Sequence, residues 1–399
     1  MSIETLTATI LSKMSGVGKW QSEFFTHAVR LFLSLRGRYN FWNMARYGGR
    51  VESTYRQNFQ KPFDFATFNA ELIKWLGIGE CVWAFDPSYI SKSGKHTQGA
   101  GYFWSGCAGA MKWGLEIAGL AMVSVRDNTA LHYFAQQTQA LKAGQSLLSY
   151  YSEVLAGQAE QMRGFSNLLA VDAFFSKKPF IDAMIEANLH VISRLRDDAV
   201  LFYPYLGPRS GGKGRPKEYA GRVDVRKPDP QYFTPCLQEE DEIAYEGRVY
   251  CKALRRWVRA VLVHTLRNGE AKTVKIFFST LVNLPGADIL LYYRQRYQIE
   301  FLFRDSKGFA GLEHCQARSQ EKLEYHFNLS LTSVNIAKAL HWFSLPQEQR
   351  GAFSMADIKT QYFNELMLEK FICLFGCDPK VIKNHPAIET YFALGKIAA

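Results

Sequence analysis

The stretch Tyr292-Tyr293-Arg294-Gln295-Arg296-Tyr297-Gln298-Ile299-Glu300-Phe301-Leu302-Phe303-Arg304-Asp305-Ser306-Lys307 holds a dense set of groups able to handle a phosphate. Read as one helix at about 100° per residue, Tyr293, Arg296, Glu300, Arg304 and Lys307 fall within an arc of roughly 60–80°. A phenol, a carboxylate and three cations then share a face about 21 Å long, enough to follow several phosphates of a nucleic-acid strand. Ile299, Phe301 and Leu302 fall outside the arc and are free to bury. The same spacing also suits a surface helix laced by an Arg296–Glu300 pair, worth only a few tenths of a kcal/mol.

Two further acids stand where strands are expected. From Glu80 onward the chain shows short apolar runs bounded by glycine. Cys81–Phe85 reads as a buried strand ending on Asp86, followed by Pro87-Ser88 and a polar turn over Ser91–Lys95. Met111–Val125 and Ala130–Phe134 read as two more strands, Ala143–Met162 as a helix, and Asn167–Val171 as a strand ending on Asp172. Phe180–Ala187 is then helical and Leu189–Leu195 a strand. An Asp after a strand is readily a helix cap or turn residue, so neither acid alone defines a site. Three carboxylates brought together would suit divalent cations.

Tyr293, Arg296, Glu300 and Lys307 match, position by position, the Tyr-x2-Arg-x3-Glu-x6-Lys signature of bacterial insertion-sequence transposases of the DDE type, the cut-and-paste group of insertion sequence family four. The order of strands and helices with its two terminal acids resembles the ribonuclease-H-like fold. The resemblance is carried by about 80–195 and 285–340. It implies Asp86, Asp172 and Glu300 as catalytic residues and metal ligands for two Mg2+ ions, with Mn2+ as a substitute. Two such ions about 4 Å apart activate the attacking oxygen and stabilise the leaving one. It further implies that Tyr293 and Arg296 grip phosphates of the transposon end and that Lys307 neutralises a phosphate near the scissile bond. Arg304 shares their face. Tyr297 suits stacking on an unpaired base, or plain packing as an aromatic. His314 and Arg318 fit the run after the lysine, with local packing the simpler role for His314. Glu313 is the rival acid. Ser88 stands two places after Asp86, where family members commonly carry Thr.

The implied activity is cleavage at terminal inverted repeats and strand transfer, with a hairpin step that rests on the family alone. The partners implied are double-stranded DNA, both transposon ends and target, and a second copy in a synaptic homodimer. A host-domesticated DDE nuclease or recombinase would carry the same residues; a non-catalytic DNA-binding regulator would lack an acid.

Composition agrees with a polyanionic partner: 48 Lys+Arg against 37 Asp+Glu among 399 residues give +11 and a pI near 9.2. Seven scattered cysteines, with only Cys373-x3-Cys377 close and His385 nearby, read as reduced thiols rather than a zinc site. No signal segment and no apolar run of about 20 residues is evident, so a cytoplasmic, nucleoid-associated bacterial protein without a membrane span is expected.

The expected organisation is an α/β ribonuclease-H-like core with a β-rich insertion and helical ends. Its parts are a helical DNA-binding region over 1–77, core over 78–199, insertion over 200–283, core with the Glu300 helix over 284–345, and a helical region over 346–399. Within 1–77, Gln21–Leu35 and Phe68–Leu76 are periodic. Gly48-Gly49 breaks a helix-turn-helix bearing Arg46, Arg50 and Arg56, or an ordinary hairpin with a solvated basic face. The insertion opens with the basic loop Tyr203–Lys227, including Arg209, Lys213 and Arg215, a DNA contact or a solvated loop.

Overall fold

The computed structural model describes residues 1–208, 217–267, 270–379, 385 and 387–397. Arg209, Lys213 and Arg215 of the basic loop lie outside the described residues. The chain opens with five helices: α1 (Ile3–Leu11), α2 (Lys19–Ser34), α3 (Phe41–Gly48), α4 (Glu52–Asn58) and α5 (Phe65–Leu76). Strands β1 (Cys81–Ser91), β2 (Gly101–Ser105), β3 (Ala110–Ser124) and β4 (Thr129–Gln137) follow, then α6 (Leu147–Arg163), β5 (Leu168–Ala170), α7 (Lys178–Glu186) and β6 (His190–Leu195). The 200–283 region supplies β7 (Leu201–Pro204), β8 (Tyr219–Arg222), β9 (Thr234–Gln238), β10 (Glu242–Cys251), β11 (Arg256–Arg267) and β12 (Glu270–Ser279). Helices α8 (Gly286–Gln295), α9 (Gln298–Phe309), α10 (Gln320–His341) and α11 (Met355–Leu374) complete the layers, with a short helix Ala387–Ala393 after them.

All twelve of these strands join one sheet. At its centre β4, β3, β1, β5 and β6 lie side by side, with β1, β5 and β6 parallel and β3 antiparallel to both β1 and β4. Antiparallel pairing of β12 to β6 carries the sheet on into β11 and β10, so the 200–283 strands extend the central sheet. Both faces of β1 are covered, as its unbroken apolar run requires. Trp83 and Phe85 bury in one cluster with Tyr151 and Met162 of α6, while Val82 and Ala84 bury in another with Leu302 of α9 and Leu331 of α10.

Helix α10 is buried almost along its whole length, and its polar residues have a specific task. Among the described residues the outer edge of β4 has no strand partner beyond it. Asn335 takes the N–H of His132 at 2.8 Å and gives an N–H to its carbonyl at 2.7 Å; Asn328 does the same to Ala135 at 2.9 and 2.8 Å. Two asparagine side chains, two helical turns apart, thus serve as amide groups of a missing strand. The N-terminal helices pack on the other side of α10, where Phe59 meets Tyr325 at 4.6 Å and Phe32 meets His326 at 5.2 Å.

Candidate active site

The sequence pattern ends the first strand at Phe85, but β1 continues through Asp86 to Ser91, paired with β3 along its whole length. The reason lies on its other side. Parallel pairing with β5 covers only Trp83 and Ala84. Beyond that, one edge of β1 is open, and a strand with an open edge tolerates Pro87, which has no N–H to give. Asp86 therefore sits mid-strand, where the neighbouring strand has stopped. Asp172 lies just past the end of β5 and begins a 3-10 turn, accepting the N–H of Phe174 at 2.9 Å. It is a cap, as an Asp after a strand often is, yet only one of its two oxygens is given to that bond.

The stretch around Glu300 is also not one helix. It breaks between α8 and α9 at Arg296 and Tyr297, where the backbone closes i→i+3 bonds, Tyr297 N to Arg294 O and Glu300 N to Tyr297 O. The single 100° wheel therefore does not hold across the signature: Tyr293 belongs to α8, Glu300 to α9, and Arg296 to the bend between them. The bend turns Arg296 inward. Its side chain is 14% exposed, 3.3 Å from the Glu300 carboxylate, and lies over the Tyr293 ring at 5.8 Å. Its Nε is buried with no hydrogen-bond partner.

Helix α9 is seated against the sheet by a glycine. A Cβ on Gly119 of β3, the residue paired with Asp86, would lie 2.6 Å from the Phe303 ring. Only a bare backbone lets Phe303 press there, and Glu300, one helical turn before it on α9, is near enough for its charge to act on Asp86.

The three acids then share one electrostatic environment. Burial pushes Asp86 up to about 7; Arg296 pulls it down, while the charges of Asp172, Glu300 and Glu116 push it further up. Asp172 is raised by burial too, offset by the Phe174 N–H, Arg296 and Lys177. Arg296 is thus the shared counter-charge of the cluster. Carboxylate oxygens are the donors hard divalent cations prefer, and a cation bound there would offset both the burial that chiefly raises Asp86 and the smaller push from Asp172, Glu300 and Glu116. As the side chains lie, no three His, Cys, Asp or Glu among the described residues are close enough to hold one ion together.

The remaining signature residues divide. Tyr293 is half-buried, edge-on to Phe277 at 4.9 Å, and burial raises its phenol. Lys307 donates to Tyr89 O at 2.7 Å and lies 3.5 Å from Glu313, so the rival acid is paired with this lysine. Arg304 is exposed, bound to Asp305 at 3.1 Å and stacked on Phe301. Tyr297 is 50% exposed with one edge on Phe301, so its outer face is open. In the N-terminal region Arg56 is paired with Glu52 and lies over Phe41, and Arg50 is half-buried over Phe24. Arg46 alone of the three is exposed with no carboxylate within ion-pair distance among the described residues; it lines a cleft of about 590 Å³ with Arg36, Arg38 and Trp42. Pattern reading missed Lys177, whose charge reaches Asp172, Arg194, whose charge reaches Tyr293, and Gly119. A lone glycine inside the apolar run Ile117–Val123 was the available signal for the last.

Residues 151–336 match the family model described as the transposase DDE domain. Over that span the chain is similar to such domains. The span holds Asp172, Arg296 and Glu300, and begins after Asp86. Comparison with curated proteins finds no match. Among solved structures, the chain is similar to the piggyBac transposase in a cryo-EM synaptic complex with hairpin DNA, with a TM-score of 0.42 and 11% identity over 98% of this chain and 80% of that one. Among the described residues no helix is long and apolar enough to cross a membrane.

Proposed function

We propose that this protein is a DDE transposase of the bacterial insertion-sequence, Tyr-Arg-Glu-Lys type, cutting DNA at terminal inverted repeats and joining the freed ends to a target. The observation that carries the reading is the convergence of Asp86, Asp172 and Glu300 on Arg296, from a strand, a strand end and a helix far apart in sequence. The strand order β4-β3-β1-β5-β6, with its one antiparallel strand between β4 and β1, supports a ribonuclease-H-like core. The match over 151–336 supports the same class.

Asp86, Asp172 and Glu300 would hold Mg2+, two ions in this reading, with Mn2+ able to replace it. Bound there, the metal supplies Lewis acidity at the phosphate and a nucleophilic oxygen at neutral pH. The chain's own groups do the rest. Arg296, already inside the cluster with an unused Nε–H, can turn that donor to an incoming phosphate oxygen. Tyr293 holds the Arg296 plane, Lys307 adds a point charge at the end of α9, and Arg304 and the outer face of Tyr297 meet the strand on the solvent side. Arg46 offers a phosphate contact on the N-terminal helices. A hairpin intermediate and a synaptic homodimer belong to this reading as well, and the protein would act on the bacterial nucleoid.

The test is cleavage of a duplex carrying the element's end, identified from inverted repeats flanking the gene. Glu300→Gln and Asp86→Asn should abolish cleavage in Mg2+ while binding persists or tightens, because a negative charge facing phosphates is removed. Cleavage by purified Glu300→Gln protein within a few-fold of the parent would overturn the assignment.

A further inference from the structure

The ribbon formed by β2 and the start of β3 lies at the free edge of the sheet, beyond the end of β1. Register sets Tyr102 opposite Trp113 and Trp104 opposite Met111, so these four share one face. Tyr102 is 68% exposed, Trp104 59% and Met111 56%. Large apolar side chains this exposed on adjoining positions mark an interaction surface. The charge around them is of one sign. From Pro87 to Leu115 the chain has no Asp or Glu, while Lys95, His96 and Lys112 are exposed there. A ribbon that is aromatic on one face and has no carboxylate in its own sequence fits a polyanion better than a second copy of itself.

Its place fits too. Asp86 to Ser91 is five residues; Ser91 pairs with Gly114, and Met111 is three residues further, eight in all. At about 3.3 Å per residue the far end of the exposed face, at Met111 and Trp104, stands roughly 26 Å from Asp86 along the strand, about eight base pairs of duplex. Lys307, at the end of α9, is bonded to Tyr89 O at the ribbon's root, which ties the two regions together. A two-stranded ribbon has the width to enter the major groove.

Building on the DNA-cleaving function proposed above, we propose that this ribbon is a second duplex contact, seated in the groove about eight base pairs from the scissile phosphate at the Asp86, Asp172 and Glu300 site. Trp104, Tyr102 and Met111 lie against sugars and base edges, while Lys112, on the ribbon's other face opposite Phe103, and Lys95 reach the flanking backbone.

Cys107, exposed in the ribbon's turn, is a built-in reporter, with exposed Cys373 as the internal control. The unaltered protein is alkylated in EDTA with and without a mixed-sequence duplex of about 40 base pairs, long enough to span both contacts at about 3.4 Å per base pair. Modification is read peptide by peptide. Duplex should slow Cys107 and leave Cys373 unchanged, and the Tyr102→Ala/Trp104→Ala protein should bind the duplex about five- to tenfold more weakly. Unchanged Cys107 reactivity in saturating duplex, with Mg2+-dependent cleavage intact, overturns the ribbon contact alone. Protection of Cys107 that grows with protein concentration in the absence of DNA overturns it in favour of a second copy. Loss of both duplex binding and cleavage in the parent removes the DNA reading, and the ribbon with it.

Discussion

Replacing Asp86 with Asn removes a charge that the fold holds at a cost. Asp86 is raised from 3.8 to about 7, first by burial. Between those values the folded protein keeps a proton that the unfolded chain has lost. The unfolded state then binds fewer protons, so this residue's contribution falls as pH rises from about 4 to about 7 and stays low above. Three units at about 1.36 kcal/mol each set a ceiling of about 4 kcal/mol, and partial solvent access reduces the expected effect to about 1–3 kcal/mol. In EDTA, Asp86→Asn should therefore be more stable than the parent at pH 8, with the gap closing towards pH 4.5. Urea unfolding of both proteins across that range reads the gap directly and cancels the other titrating groups. Millimolar Mg2+ should then stabilise the parent more than the variant, by mass action on the folded state. A gap that is constant from pH 4.5 to 8 would refute the argument, since Asp86 would then not be a strained carboxyl. A gap that widens towards low pH would mean that its pairing with Arg296 dominates instead.

Arg296→Ala should lower stability at pH 8 and regain most of it at pH 5, where Asp86 is protonated and needs no counter-charge; a loss independent of pH would make Arg296 an ordinary packing residue. Gly119→Ala should displace Phe303 and with it Glu300, cutting cleavage by at least about tenfold with circular dichroism little changed, whereas full activity would separate α9 placement from catalysis. Tyr39→Phe should cost about 1–3 kcal/mol, because the hydroxyl joins Phe309 O to the buried Lys359 amine, and thermal unfolding measures it. Arg46→Ala should reduce the salt slope of DNA binding by about one while Arg56→Ala, already paired with Glu52, changes it less.

Periodicity alone identified β1, β3, β4, α6, β5, α7 and β6 in order, to within a few residues apart from the end of β1, because each buries a face or a whole run and so carries a strong local signal. The Tyr-x2-Arg-x3-Glu-x6-Lys spacing was legible because it is a set of residue types at fixed intervals, and Asp86 and Asp172 stood out as candidates because each follows a short apolar run. Other features depend on partners distant in sequence and carry no local pattern. Where β1 ends was decided by β5 stopping short, and the inward turn of Arg296 by a bend between two helices that continuous helical spacing cannot reveal. Arg46, Arg50 and Arg56 read alike in sequence, and only packing against Phe24, Phe41 and Glu52 leaves Arg46 as the open cation. The raised Asp86 is the clearest case. A carboxylate's cost depends on burial and on charges brought from residues 116, 172, 296 and 300, and those meet only when the sheet and α9 close on one another.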